Sequence, residues 1–259
     1  MVLALHSGCG GPLSARSQLP PPQPILSSLE PIWQHLVLRR ETYQDLKGVA
    51  RLRLHTATGG GTLDNVAVVL GHFDALRLEG IGPFGQLVFL FVSDGQRFSF
   101  YVPQERRVIS GPASTQQFIP RFGLAVEPKV LPSLLLGDVP LRTLPKAGTL
   151  TYHAADNLYV WEGIDPPRPW QYRIWFDPYR LFPVRFEAAE LSGKVVLQVA
   201  YEDFRRLEGF LLPYRITITQ PLTEQRVIWH YHEVQLNTGV TPALFRLRVP
   251  PGVEQVELQ

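Results

Sequence analysis

The stretch Leu76–Tyr101, LRLEGIGPFGQLVFLFVSDGQRFSFY, reads as strand, turn, strand, turn, strand. A half-buried strand alternates apolar and polar residues, because successive side chains point to opposite faces. Val88-Phe89-Leu90-Phe91-Val92 does not alternate. One of its faces packs on a core, so the other must meet something else that is apolar. Gly82-Pro83-Phe84-Gly85 is a tight turn that puts a phenylalanine where a loop tip usually carries a polar residue. Asp94-Gly95 is a hairpin turn of the kind that matches strand twist. The expectation is a sheet that holds a greasy ligand, with a hydrophobic finger at its edge.

Similar signals extend in both directions. Upstream lie strands Leu46–Thr56 and Leu63–Leu70, joined through Thr58-Gly59-Gly60-Gly61. Ala75–Ile81, Gln86–Ser93, Arg97–Val102 and Arg106–Ser110 follow. Ile25, Leu29, Ile32, Trp33 and Leu36 recur at helical spacing, which predicts an amphipathic helix over 26–44 with Ser28 and Pro31 at its first turn. Downstream, Ser114–Phe122 and Pro128–Leu136 read as short helices, the second stopped by Gly137 with Pro140 beyond it. Strands resume at Thr149–His153, Asn157–Glu162, Trp170–Phe176, Pro183–Ala188, Lys194–Tyr201, Pro213–Thr219 and Arg226–Gln235. A short turn at Pro242–Phe245 and an extended tail close the chain. About thirteen strands at hairpin spacing surround a helical insert. The predicted fold is mainly β: one strongly curved antiparallel sheet, a half-barrel, with helices covering its concave face.

Composition narrows the function. At 259 residues and 45% hydrophobic content the chain can build a sizeable core. Its net charge of +2, from 25 basic and 23 acidic residues, argues against a nucleic-acid binder with a cationic face. Basic residues run no longer than pairs such as Arg39-Arg40, which argues against polybasic membrane binding. No apolar stretch is long enough to cross a bilayer. One cysteine excludes a disulfide scaffold.

That cysteine sits in Leu3-Ala4-Leu5-His6-Ser7-Gly8-Cys9-Gly10, which resembles the bacterial lipobox, where the cysteine after signal cleavage is acylated. His6 departs from the pattern, and only eight residues precede Cys9, so Met1 is read as falling inside the apolar part of a longer signal. An incidental free cysteine is the plainer alternative. Pro20-Pro21-Pro22 and Pro24 then make a proline-rich spacer. Residues 1–24 are therefore read as lipid anchor and tether, and 25–259 as one domain.

The chain resembles the bacterial lipoprotein-localisation family, which comprises a periplasmic lipoprotein carrier and an outer-membrane receptor (LolA/LolB-like). Leu76-Arg77-Leu78, Gly82-Pro83-Phe84-Gly85, Asp94-Gly95-Gln96-Arg97-Phe98 and Leu135-Leu136-Gly137-Asp138-Val139-Pro140 follow the receptor's order and spacing. Asn237, Pro242–Leu247 and Val249-Pro250-Pro251-Gly252-Val253 echo the carrier's closing motif. The hairpins near 165–205 have no clear counterpart. The resemblance implies a half-barrel whose cavity takes acyl chains, with acylated lipoproteins or lipids, the outer-membrane surface and a periplasmic carrier protein as partners. It implies no cofactor and no enzymatic step. Cys9 would be the anchor, and Phe84 with Pro83 the membrane-facing loop. The implied lid comprises Phe118, Phe122, Leu131, Leu134, Leu135 and Leu136. An arginine bonds the carrier's lid shut, and Arg51 and Arg53 are its weak candidates here. The implied setting is the periplasmic face of a Gram-negative outer membrane. A carrier of free lipid or glycolipid and a structural envelope lipoprotein remain as alternatives.

The apolar strand positions supply the cavity candidates: Val66, Val68, Leu70, Leu78, Val88, Leu90, Val92, Phe98, Phe100, Trp175, Leu197 and Val199. An apolar stripe also serves as ordinary core. Burying ten methylenes in such a cavity is worth roughly 8 kcal/mol, so affinity needs no polar readout. Enzymatic signals are weak. His230 and His232 share one strand face, and with His153 they offer a metal-ligand set, but a solvated face explains them equally. No GxSxG elbow occurs, and Gly59-Gly60-Gly61 lacks the Lys-Ser/Thr of a phosphate loop.

Overall fold

The computed structural model describes residues 26–71, 74–114, 126–141, 143, 147–164 and 170–259. Strands β1 (Leu46–Thr56), β2 (Gly59–Leu70), β3 (Ala75–Ile81), β4 (Leu87–Asp94), β5 (Arg97–Val102) and β6 (Arg107–Pro112) make the first half. The second half holds β7 (Ala147–His153), β8 (Leu158–Ile164), β9 (Trp170–Phe176), β10 (Pro183–Glu190), β11 (Val195–Leu207), β12 (Phe210–Gln220), β13 (Gln225–Leu236) and β14 (Glu254–Glu257). All belong to one 14-stranded sheet, ordered β14-β6-β5-β4-β3-β2-β1-β13-β12-β11-β10-β9-β8-β7. The two described α-helices are α1 (Glu30–Thr42) and α2 (Leu131–Leu135), the latter entered through a 3₁₀ turn at Pro128–Val130.

This order decides where the helices can go. β1 pairs with β13 in the middle of the sheet and joins two antiparallel meanders. β6 lies next to one edge and β7 forms the other, so the chain between them has to cross the sheet. α2 lies in that crossing. All of the predicted helix Ser114–Phe122 beyond Ser114 lies outside the described residues.

Register shows which side chains share a face. Gly48, Val68, Leu78, Phe91, Phe100 and Ile109 stand abreast across β1–β6. Leu150, Trp161, Ile174, Phe186, Val199, Ile218 and Val227 do the same across β7–β13. Both rows belong to the hydrophobic core or pack against it, together with Leu29, Ile32, Trp33 and Leu36 of the α1 region and Leu131–Leu136. Gly48 contributes only backbone to its row. Phe91 and Phe98 stack with centroids 6.0 Å apart, and Phe89 and Phe100 approach to 5.8 Å.

The alternate positions face outward, and here the structure corrects the sequence reading. Val88 is exposed, while Leu90 and Val92 are buried outside the main core cluster. The 3₁₀ turn Pro242–Phe245 lies against β3 and β4 on this side. Arg77, paired with Val92, donates from Nη1 to the Leu244 carbonyl at 3.0 Å. β4 is thus apolar on both faces because the protein's own C-terminal segment lies against part of the outer one. Trp175 is also on the outer face, between Val160 and Arg185. The guanidinium carbons of Arg185 and Arg173 lie 4.5 and 5.7 Å from a Trp175 ring centroid, an arrangement that solvates the ring's π face with cations.

Three elements exceed their predicted bounds. β2 starts at Gly59, and β11 and β12 continue to Leu207 and from Phe210. Backbone pairing carries β2 and the end of β11 into exposed positions, where alternation carries no signal, whereas Phe210 and Leu212 extend β12 as members of the core. β14, read only as an extended tail, pairs parallel with β6.

The C-terminal segment is pinned at its start by Asp45, in the link between α1 and β1. The carboxylate accepts from Thr238 N and Oγ1, each at 2.8 Å, from Gly239 N at 2.9 Å and from Val240 N at 3.1 Å. Burial alone pushes the Asp45 pKa up, but these donors outweigh it and hold the group below its ordinary value of 3.8. A depressed carboxylate pKa contributes stability that is present above the unfolded value and is lost as pH falls through the folded one. Asp45→Asn is expected to lower stability by about 1–3 kcal/mol at pH 7. In urea unfolding the gap from wild type should narrow once pH drops below about 4. A gap independent of pH would show that the charge is not what holds the segment.

Candidate functional site

α1 reaches the core face because its sequence puts Ile32, Trp33 and Leu36 on one stripe. Pro31 sits in its first turn, Glu30 suits the positive N-terminal end, and Arg39 and Arg40 fall in its last turn. Arg39 comes seven residues after Ile32 and three after Leu36, so it continues the apolar stripe rather than the solvent face. It is buried.

α2 is short, and its carbonyls need partners beyond its own turns. The helix ends in a Schellman turn, in which Gly137 N donates to Leu134 O at 3.1 Å and Asp138 N to Ser133 O at 2.9 Å. Gly137 has φ of 70°, and a Cβ there would lie 2.4 Å from Pro213 Cγ. Only glycine combines that backbone with that approach. The next two carbonyls are met from outside the helix. Tyr231 of β13 donates its hydroxyl to Leu135 O at 3.1 Å, and Arg39 donates from Nη2 to Leu136 O at 2.5 Å. Arg39 Nη2 also reaches Leu211 O of β12 at 3.2 Å.

The neighbouring loop is held just as closely. Arg40 grips the Asp138 carboxylate through Nε at 2.5 Å and Nη2 at 3.1 Å, and Nη2 also donates to Leu141 O at 3.2 Å. Tyr201 of β11 donates to Asp138 O at 2.9 Å. Burial raises the pKa of both Tyr201 and Tyr231 above the ordinary phenol value, so both hydroxyls stay protonated donors. The Arg39-Arg40 pair and two tyrosines therefore read the backbone of residues 135–141 as a polar latch in an apolar setting.

Arg39 is a costly component. Burial pushes its pKa down to about 10, partly countered by the charge of Asp138. Its guanidinium carbon lies 4.5 Å from the ring centroid of Phe182 and 4.1 Å from that of Phe210. Sequence reasoning missed it. The available signal was an arginine at a buried helical phase, whereas the strand arginines Arg51 and Arg53 drew the comparison. Arg51 pairs with Asp64 at 2.6 Å near the surface, and Arg53 is exposed.

Of the cavity candidates, Val66, Val68, Leu70, Phe98, Leu197 and Val199 are buried on the core face, and Leu78 and Phe100 pack against it. Val88, Leu90, Val92 and Trp175 do not join them, for the reasons given above. Leu131, Leu134, Leu135 and Leu136 are buried against the same core. Ile32, Leu36 and Leu134 have 0% exposure and belong to the same core cluster. Phe84 is 93% exposed at the β3–β4 turn, beside Gly85 at φ 78°. Phe118, Phe122 and Cys9 lie outside the described residues.

The histidine set does not assemble. His230 and His232 share the outer face of β13 with rings 5.4 Å apart. His153 is on β7, six strands away along the sheet, and the described residues hold no group of three side chains placed to bind a metal. No described helix is long and apolar enough to cross a membrane.

No protein-family model matches the chain, and no curated protein does. Solved structures do. A DUF1329 family protein from Desulfovibrio piger superposes with a TM-score of 0.63 at 14% identity, over 85% of this chain and 98% of its own. A LolA superfamily protein from Nitrosomonas europaea gives 0.56 at 14% identity, over 86% and 99%. A putative outer membrane lipoprotein-sorting protein domain from Vibrio parahaemolyticus gives 0.54 at 13% identity, over 83% and 97%. The class is set by these likenesses: mainly strand, one large open curved sheet, a LolA-like fold. This chain is that fold with a C-terminal segment against part of its outer face and a two-arginine latch on residues 135–141.

Proposed function

We propose that this chain is a lipid-anchored envelope protein that takes up the acyl chains of lipoproteins and delivers them to the outer membrane. The reading rests on a five-residue helix whose leucines are buried with the apolar sheet residues and whose end is tied down through polar contacts. Such hydrogen bonds contribute modestly net, about 1 kcal/mol from the Tyr231 hydroxyl and about 1.5–3 kcal/mol from a charged donor such as Arg39, so such a closure is reversible. In this reading the core face is the concave one, α1 and α2 are its cover, and the compact arrangement is the empty, closed state. Opening exchanges Leu131, Leu134, Leu135 and Leu136 for acyl chain against Val68, Leu78, Phe98, Phe100, Leu197 and Val199. Phe84 and Pro83 touch the membrane, Cys9 anchors the chain there, and a periplasmic carrier hands over the cargo. The likeness to a lipoprotein-sorting domain supports the reading. No covalent step, metal or cofactor enters it, and residues 25–259 act as one unit.

Titration with a synthetic triacylated lipopeptide, followed by native mass spectrometry and hydrogen exchange, tests it. A stable complex with lost amide protection in 131–139 is expected. A co-purified free lipid or glycolipid, with no lipopeptide complex, would turn the assignment to the carrier of free lipid. The complete burial of Ile32, Leu36 and Leu134 favours a second reading, a structural envelope lipoprotein filled by its own side chains. Failure of both the lipopeptide and an apolar fluorescent probe to bind would establish that one instead.

A further inference from the structure

A cavity of about 560 Å³ opens where the last turn of α1 meets the β9–β10 connection and the β11–β12 turn. That volume falls within the roughly 300–1,000 Å³ of small-molecule sites. Leu38, Phe182, Phe210 and Leu236 give it apolar walls, and its lining holds three arginines, Arg39, Arg180 and Arg206, against one carboxylate, Glu208. Arg180 and Arg206 are exposed, while Arg39 is 8% exposed.

Arg39 is what makes this a site rather than a dent. Its Nη2 is committed to the Leu136 and Leu211 carbonyls, and its Nε is buried without a partner. Nη1 bonds to none of the described residues. Asp138, the acid whose charge reaches Arg39, is bonded to Arg40. A buried cation without a carboxylate of its own is unfavourable unless an anion joins it, and here an apolar-walled cavity lies alongside.

We propose that this cavity binds the anionic head of a single-chain amphiphile, a carboxylate or a phosphate monoester, against Arg39. Arg180 and Arg206 attract the head at the rim, and the alkyl chain lies along Leu38, Phe182 and Phe210. No residue of α2 lines the site, so binding requires no movement of that helix.

Calorimetric titration of the full chain with decanoate, decyl phosphate, 1-decanol and inorganic phosphate tests the assignment. Both charged amphiphiles are expected to bind roughly tenfold or more tightly than decanol, the scale of one charge-assisted hydrogen bond. Because Arg39 also serves the latch, the informative variant is Arg180→Glu with Arg206→Glu, two surface changes whose fold is checked by urea unfolding. It should weaken decanoate by about tenfold or more and leave decanol unchanged. Equal binding of decanoate and decanol, or a double variant that binds decanoate normally, would overturn the proposal. So would inorganic phosphate binding as tightly as decyl phosphate, which would define a free-anion site. The lipopeptide experiment reads residues 131–139, none of which lines this cavity, so either proposal can fail alone.

Discussion

Arg39→Ala is expected to lower stability by roughly 3 kcal/mol and to strip hydrogen-exchange protection from residues 131–139. Two mechanisms add. The carbonyls of Leu136 and Leu211 lose a charged donor, each such bond being worth about 1.5–3 kcal/mol. The space between the Phe182 and Phe210 rings is also left unfilled. Against this, removing the guanidinium returns the desolvation penalty visible in its lowered pKa, which is why the figure is not larger. Arg39→Lys keeps the charge but not the planar fork or the ring stacking, so it should recover only part of the loss. Urea unfolding and amide exchange separate global from local effects. Unchanged exchange in 131–139 with alanine at 39 would mean that the latch does not hold α2.

Phe84→Asp should leave urea unfolding within about 0.5 kcal/mol of wild type, because Phe84 is 93% exposed and packs on little. On unacylated protein carrying Cys9→Ser, the same change should cut binding to vesicles of outer-membrane lipid by roughly 10- to 100-fold. That range follows from about 1.5–3 kcal/mol for burying one phenylalanine side chain, at tenfold per 1.4 kcal/mol. The Gly82–Gly85 turn supports the measurement. Gly85 N donates to Gly82 O at 3.0 Å and Phe84 N to Gln86 Oε1 at 3.0 Å, so the backbone is held without help from the ring. Equal sedimentation of both proteins with vesicles would remove Phe84 from any membrane role.

The two-sided apolar character of Val88–Val92 was legible, and so was the need for a second apolar partner. Its identity was not. Phe89 and Phe91 meet the core, whereas Leu90 and Val92 point to the side where the turn around Phe245, more than 150 residues later in the chain, lies against β4. Trp175 was misassigned similarly, since an aromatic residue in a strand reads as core unless one knows that Arg173 and Arg185 flank it. Leu131–Leu136 and Gly137 were readable because helix stops leave local chemistry. The role of Arg39 was not, because its acceptors are carbonyls at 136 and 211, which every residue carries.

Local periodicity and turn chemistry thus account for the strands, for α1 and for the exposed tip at Phe84. These depend on the backbone's own geometry and on neighbours a few positions away. The pairing of β1 with β13, the parallel docking of β14 on β6 and the burial of one arginine among carbonyls arise only when distant segments share a surface. Side-chain alternation tells which residues point the same way, but not what stands opposite them. That depends on long-range packing, and with it go the latch and the charged cavity.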